Sequence, residues 1–326
     1  MRIKTHRRAV LLGALAAPAL ATRALAAWPD RSIRIVIPYP PGGASDTTAR
    51  LITEPLSRVL GQSVVVDNRP GANGAIALEN VATSANDGHT LLMGNLGPNA
   101  INPVLKTNLP FDAVRSFDPI VLANKVPIAL MVRSDHPARD MAQLVAMAKA
   151  RPGQIGYGSA GNGSASHLAG EMLKATLGID LLHVPYRGDA PAITDMLSGA
   201  LPCVLSTTVS VLPQLRAGRV RVLGVASAQR LGSMPDVPTF LEQGVAGYEV
   251  SSWNGLFAPA GTPRPVISRV NLEATRALRI PEVTRRLEDV GAAPAMGTPE
   301  EFATFLRAEL DRWAEVVRVS GARADD

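Results

Sequence analysis

The chain reads as an α/β protein built on parallel sheet and folded as two lobes. Three observations carry this. Short β-branched runs alternate with amphipathic helical stretches, the order that βαβ units produce. About 300 residues follow a leader-like N-terminus, enough to bury extensive cores. Cys203 is the only cysteine, so no internal disulfide staples the chain, and its stability rests on buried apolar surface.

The first element is a leader. Arg2, Lys4, Arg7 and Arg8 form a basic segment, Ala9 to Leu20 an apolar one, and Ala24-Leu25-Ala26 an A-x-A cleavage site. Residues 1–26 are therefore expected to be an export signal peptide that places the mature chain in the periplasm. The apolar run falls short of the roughly 20 residues a spanning helix needs, and no later segment approaches that length. Arg7-Arg8 suits twin-arginine export, although His6 stands where Ser or Thr is expected, and general secretion stays open. No cysteine near the cleavage point argues for a lipid anchor.

Five of the 33 basic residues and none of the 28 acidic ones lie in that leader, leaving 28 of each. A mature balance near zero with interspersed signs predicts neither a nucleic-acid surface nor a polybasic membrane patch.

Expected strands then run over Ile33 to Pro38, Val64 to Asn68, Thr90 to Gly94, Ile128 to Val132, Ile155 to Gly158, Leu181 to Val184, Cys203 to Ser206 and Val220 to Ala226. Helical patterns lie between them. In the first helix Ile52, Leu56, Val59 and Leu60 share a face, Pro55 is expected to kink it, and Gly61 ends it. The last helix starts with Thr298 as N-cap, Pro299 in first position and Glu301 closing a capping box. Phe302, Phe305, Leu306, Leu310, Trp313 and Val317 form its buried stripe.

Two strand-to-helix turns stand out. The first strand breaks at Pro40, Pro41, Gly42 and Gly43, with Ser45 or Asp46 expected to cap the helix that follows. Such a turn presents free N–H groups and the positive end of a helix dipole, an anion site by construction. The second turn, Gly156 to Ser166, repeats the design. Its glycines admit close backbone approach, and Ser159, Asn162, Ser164 and Ser166 offer small donors and acceptors.

Gly156-Tyr157-Gly158-Ser159-Ala160-Gly161 matches G-x-G-x-x-G, which admits an exported NADP-dependent oxidoreductase as an alternative. A dinucleotide site wants an acid after the next strand, about 20 residues on. That strand ends Leu181-Leu182-His183-Val184-Pro185-Tyr186-Arg187 without one, though Arg187 could serve a 2′-phosphate. Neither Ser159 nor Ser164 sits in G-x-S-x-G, and no Walker lysine, H-E-x-x-H or Cys/His metal set is present. Cys203 reads as a small buried hydrophobe, His167 and His183 as packing histidines, and His89 and His136 as solvated turn residues.

Eight motifs in order span essentially the whole mature chain: Trp28-Pro29, PYPPGGASD at Pro38 to Asp46, VVVDNRPGANG at Val64 to Gly74, and DGHTLLMG at Asp87 to Gly94; then PGQIGYGSAGNGSASHLAGE at Pro152 to Glu171, HVPYRG at His183 to Gly188, PDVPTFLEQG at Pro235 to Gly244, and WNGLFAPAGTP at Trp253 to Pro263. Together they closely resemble the Bug-type extracytoplasmic solute-binding proteins of tripartite tricarboxylate transporters.

The resemblance implies a two-lobed periplasmic-binding-protein fold (type II, Venus flytrap) with a ligand cleft between the lobes. Lobe one would be residues 28–128 plus 251–326, and lobe two 129–250. It implies a non-enzymatic carrier without cofactor, most simply a monomer, that captures a small carboxylate (dicarboxylate, tricarboxylate, amino acid or aromatic acid) and delivers it to the membrane permease. Carried over by position, lobe one would contribute Tyr39, Gly43, Ala44, Ser45 and Asp46, with Asn95 and Gly97. Lobe two would contribute Ser159, Gly161, Asn162, Gly163 and Ser164, with Ser206 and Thr207. Trp253, Tyr39 and Tyr186 could form an aromatic wall, and Arg187 a direct ion pair.

Overall fold

The computed structural model describes residues 28–106 and 108–320, so the expected signal peptide lies outside the described residues. In chain order the elements are β1 (Ile33–Ile37), α1 (Ala44–Leu60), β2 (Val64–Asn68), α2 (Ala75–Ala82), β3 (Thr90–Asn95), α3 (Asn102–Leu105), β4 (Phe117–Arg133) and α4 (Met141–Ala150). They continue through β5 (Gly156–Ser159), α5 (Ala165–Leu177), β6 (Leu182–Pro185), α6 (Asp189–Ser198), β7 (Cys203–Thr207), α7 (Thr208–Arg216) and β8 (Val220–Val225). The last are β9 (Ser251–Pro259), α8 (Arg264–Leu278), α9 (Pro281–Asp289), β10 (Ala293–Pro294) and α10 (Pro299–Ser320).

The strands lie in the order β2-β1-β3-β9-β4-β7-β5-β6, with β8 and β10 also on β4. Around β1 and around β5 the pairing is parallel, as the alternation of strands and helices predicts. Between these regions β9 and β4 run antiparallel to their neighbours, which a purely parallel reading misses.

The long strand β4 joins the two regions. Up to Pro127 it pairs with β9, and from Ile128 it pairs with β7 and β8. Beside this switch Ile128 N–H donates to Val250 O at 3.0 Å, so the two chain crossings lie next to each other.

Only the Ile128 to Val132 end of β4 is legible in sequence, because Pro119, Lys125 and Pro127 interrupt the apolar pattern upstream. The missed strand β9 carries Asn254 and Gly255 in its middle for local reasons. A methyl group at Gly255 would lie 2.2 Å from Phe302 Cζ, so the glycine makes room for the α10 aromatic.

Trp253, Phe257, Phe302 and Trp313 are buried in the resulting core. Burial of large apolar side chains of this kind contributes about 1.5–3 kcal/mol each. Trp253 is therefore packing rather than cleft wall, and its Nε1 donates to Glu309 Oε2 at 3.0 Å.

Helix α10 begins as its capping box predicts. Glu301 N–H donates to Thr298 Oγ1 at 3.1 Å, and Thr298 N–H to Glu301 Oε2 at 2.8 Å. In α1, Ile52, Leu56 and Leu60 face the core, but Val59 is exposed, and the helix runs through Pro55 as one element. His89 is buried rather than solvated, edge-on to Trp28 with Asp30 and Asp87 carboxylates at 3.0 and 3.3 Å. No described helix is long and apolar enough to cross a membrane.

Candidate functional site

A cavity of about 360 Å³ lies where the two halves of the molecule meet. Its walls are the β1–α1 turn, the start of α5, the starts of α6 and α7, and the ends of β3 and β7. All these turns follow carboxyl ends of strands, where open α/β sheets bind ligands.

The wall from the first half begins at Tyr39 and ends at Ser45. Gly43, not Ser45 or Asp46, holds the N-cap position of α1. Ala44 and Ser45 therefore occupy the first turn, where amides have no acceptor within the helix. Asp46 turns away from the cavity: Oδ2 accepts from Gly42 N–H at 3.0 Å and Arg50 Nε at 2.9 Å, and Oδ1 accepts from Asn68 Nδ2 at 3.1 Å. Burial opposes its ionisation, but those bonds outweigh burial and hold its pKa below the usual carboxylate range. Asp46 thus braces the turn and neutralises nothing inside the cavity.

A directional chain of side-chain hydrogen bonds anchors this wall. Asn95 Nδ2 donates to Ser45 Oγ at 3.1 Å, Ser45 Oγ to Asn254 Oδ1 at 2.6 Å, and Asn254 Nδ2 to Asn124 Oδ1 at 2.8 Å. Asn124 Nδ2 then donates to Thr48 Oγ1 at 2.7 Å, and Thr48 Oγ1 to Ala44 O at 2.7 Å. The start of α1 is thereby tied to β3, β9 and β4. Asn254 falls within the WNGLFAPAGTP motif, with no site role expected for it, and Asn124 lies in none of the eight motifs. Their signal is a fully buried amide side chain in the middle of a strand.

The β5–α5 turn is held differently. Ser159 Oγ accepts from Gly161 N–H at 3.1 Å, Ser166 Oγ from Ala160 N–H at 3.0 Å, and His167 Nδ1 from Gly163 N–H at 3.1 Å. Ser159 Oγ also pairs with His183 Nε2 at 2.6 Å, and the His167 and His183 rings stack at 4.0 Å. Burial, with His167 and Lys174 nearby, brings His183 down to about 3, so it is neutral at ordinary pH.

Ser159, Gly161, Asn162 and Gly163 accordingly build the turn from behind and do not line the cavity. Ala160, Ser164, Ala165 and Ser166 line it instead. Ser164 is the N-cap of α5, accepting from His167 N–H at 3.1 Å, which leaves the amides of Ala165 and Ser166 at the cavity end.

Of the remaining expected site residues, Asn95, Gly97 and Thr207 line the cavity, whereas the Ser206 side chain sits in the wall behind it. Arg187 also reaches it, while Tyr186 bonds to Asp195 at 2.7 Å; burial and that bond push its hydroxyl up to about 12. Sequence reasoning missed Gly188, the N-cap of α6, Asp189, its first residue, and Ser210, in the first turn of α7, because these helix starts carry no phosphate-like glycine pattern.

Beside the cavity, and within the first half, Tyr39 hydroxyl donates to Asn73 Oδ1 at 2.8 Å, and Asn73 Nδ2 to Asn102 Oδ1 at 3.0 Å. The second half meets this cluster through Gly163. A methyl group on Gly163 would lie 2.5 Å from that same Asn102 Oδ1, and one on Gly97 3.2 Å from Gly163 O. Glycine at these positions lets the walls close to contact. Burial first, and then the charge of Asp189, raise the Tyr39 pKa, so its hydroxyl stays a donor.

Cys203 is buried, and burial pushes its thiol up to about 12, which leaves it no nucleophilic role at ordinary pH. No group of His, Cys, Asp and Glu among the described residues is arranged to hold a metal ion. The last two amides of the G-x-G-x-x-G run, Ala160 and Gly161, are taken up by Ser166 and Ser159 and are not free for a pyrophosphate.

Two helix starts from different halves, facing one cavity, define a solute-binding α/β protein. The pattern of the tripartite tricarboxylate transporter family receptors matches residues 48–321, and the chain belongs to that family. It is 42% identical to the "UPF0065 protein in tcbD-tcbE intergenic region" of Pseudomonas sp. (strain P51), over 95% of this chain and 94% of that one. It is 34% identical to protein BugT of Bordetella pertussis (strain Tohama I), over 91% of each. Among solved structures, Rpa4515 of R. palustris with adipate superposes with a TM-score of 0.88 at 35% identity, covering 91% of this chain and 99% of that one. Such neighbours are two-lobed periplasmic binding proteins.

Proposed function

We propose that the mature chain captures a small organic carboxylate between its two halves and presents the closed complex to a tripartite tricarboxylate-type permease. The observation that carries this reading is the pair of helix starts, α1 and α5, that line one cavity from opposite sides. Uncompensated amides and two helix dipoles suit a carboxylate without any buried cation, the mode by which helix N-termini hold anions. Adipate in the R. palustris relative is a ligand of this chemistry.

The lobe division at 128/129 and 250/251 is part of this proposal, supported by the change of β4 partners at Pro127–Ile128. Release from the leader at Ala26, by either export route, would put the protein where such receptors work. Action as a monomer, without catalysis, fits a protein whose halves must move against each other.

Thermal-shift screening of residues 27–326 against dicarboxylates, tricarboxylates, amino acids, aromatic acids and NADP tests the reading. A true ligand at a hundredfold excess over its Kd should stabilise by about 2.7 kcal/mol. Stabilisation by NADP alone, with no carboxylate active, would reject the carrier in favour of a dinucleotide enzyme.

A further inference from the structure

One group in the cavity does not fit a site built solely for anions. Asp189, the first residue of α6, lines the cavity, and its Oδ2 accepts from Thr207 Oγ1 at 3.0 Å and Ser210 Oγ at 2.8 Å. Ser206 adds a further hydroxyl beside it. Burial raises the pKa of this carboxyl, and the surrounding hydroxyls of Ser210, Ser206 and Thr207 oppose that rise. Arg187 and Arg219 also line the cavity, but both are exposed and solvated, and neither forms an ion pair with Asp189 among the described residues.

The surroundings give this carboxylate a direction. Tyr39, on the anion-binding side, is close enough to feel its charge, and Pro40 lies 3.6 Å from where a methyl group on Gly188 would stand. Beyond Asp189, one and two turns along α6, Ile193 and Leu197 continue the wall. Val209 and Pro213 face them from α7. The cavity therefore runs from a pair of helix starts, past a carboxylate that hydroxyls hold and that forms no ion pair among the described residues, into a chamber where Ile193, Leu197, Val209 and Pro213 stand beside Thr194, Gln214 and Arg219.

We propose that Asp189 is the specificity-determining residue of this receptor, and that the ligand is an aminocarboxylate with an apolar body. Its carboxylate lies against the α1 and α5 starts, its ammonium against Asp189, and its side chain between α6 and α7. A second carboxylate would meet the Asp189 charge at short range, in surroundings where like charges are weakly screened. Dicarboxylates are thus rejected by the same group that selects the amine. This inference rests on the carrier reading above and narrows its ligand class.

The test pairs each amino acid with its deaminated counterpart on the mature protein: leucine with 4-methylpentanoate, phenylalanine with 3-phenylpropanoate, and adipate as the dicarboxylate. Isothermal calorimetry should show the amino form of at least one pair binding about tenfold or more tightly than its partner, with adipate weakest. Asp189→Asn should erase that preference and strengthen adipate. Asp189→Ser, which keeps a hydrogen-bonding group at the start of α6, should do the same, so misfolding of one variant does not decide the matter.

Equal binding of amino and deaminated forms by the wild type, or unchanged selectivity in folded Asp189→Asn, would overturn the proposal. The latter result would leave Asp189 as a cap for α7. Adipate bound with neither preference nor response to Asp189→Asn removes only this inference; silence towards every carboxylate removes the carrier reading itself.

Discussion

The two walls of the cavity look alike in sequence and are built in opposite ways. The α1 start is fastened by long-range bonds, through Ser45, Asn254, Asn124 and Thr48, to strands that lie at the junction of the halves. The β5–α5 turn is fastened mainly by its own serines and histidines, within a few residues of the amides they hold. One wall is therefore coupled to the framework, and the other is assembled mainly from its own and adjacent residues. Two glycine-rich turns with one shared purpose need not share a mechanism of support.

Asn254→Ala strikes the framework-coupled wall hardest. It strips Ser45 and Asn124 of buried partners, and each unsatisfied polar group costs about 1–3 kcal/mol. Urea unfolding should show a loss of roughly 2–6 kcal/mol, and calorimetry a weaker ligand. An unchanged unfolding midpoint would mean the chain of amides contributes nothing to the frame.

Gly161→Ala tests the locally assembled wall. Its φ of 122° excludes most side chains, and the added methyl group would sit 2.8 Å from Tyr186 O. A destabilisation of about 1–3 kcal/mol is expected, with the α1 network intact. Full stability in this variant would show that the turn is not locked by local geometry.

The histidine of that wall gives a pH signature. His183 is depressed to about 3 in the folded protein, against about 6.5 when unfolded. The unfolded chain binds the extra proton between those values. Stability is therefore fully present above about pH 6.5 and falls as pH drops toward 3, by at most ~1.4 kcal/mol per unit from this group. Thermal melts across that window should flatten in His183→Gln; an identical slope in both proteins would assign the loss elsewhere.

Ser164→Ala should have the smallest effect. Loss of the α5 N-cap bond costs about 1 kcal/mol. Measured beside Asn254→Ala, it sets the scale between local and framework support.

Much of this was legible in the chain. Strands β1 to β3 and β5 to β8 follow apolar runs bounded by turn residues, and α10 follows its capping box. Strand β9 was hidden because Asn254 and Gly255 serve a hydrogen-bond network and an aromatic contact rather than strand propensity. The site was readable as two turns, but the division of labour inside each was not. Whether Gly161 N–H faces a ligand or Ser159 Oγ depends on rotamers and neighbours, such as His183, that arrive from distant strands. Asp189 was overlooked because an acid after a glycine looks like any helix start until β7 and α7 bring Thr207 and Ser210 beside it.

The single strand β4 passes through both sheets, and its pairing changes at Pro127–Ile128. Any swing of one half against the other is then a torsion of that strand, with the crossing at Val250–Ser251 as the second pivot. A lever turning on so narrow an axle moves little near the cavity floor and most at the far edges, β2 on one side and β6 on the other. Under the carrier proposed above, the outer rims would carry the amplified record of whether the cavity is filled, and a membrane partner gripping both rims would read occupancy without touching the solute.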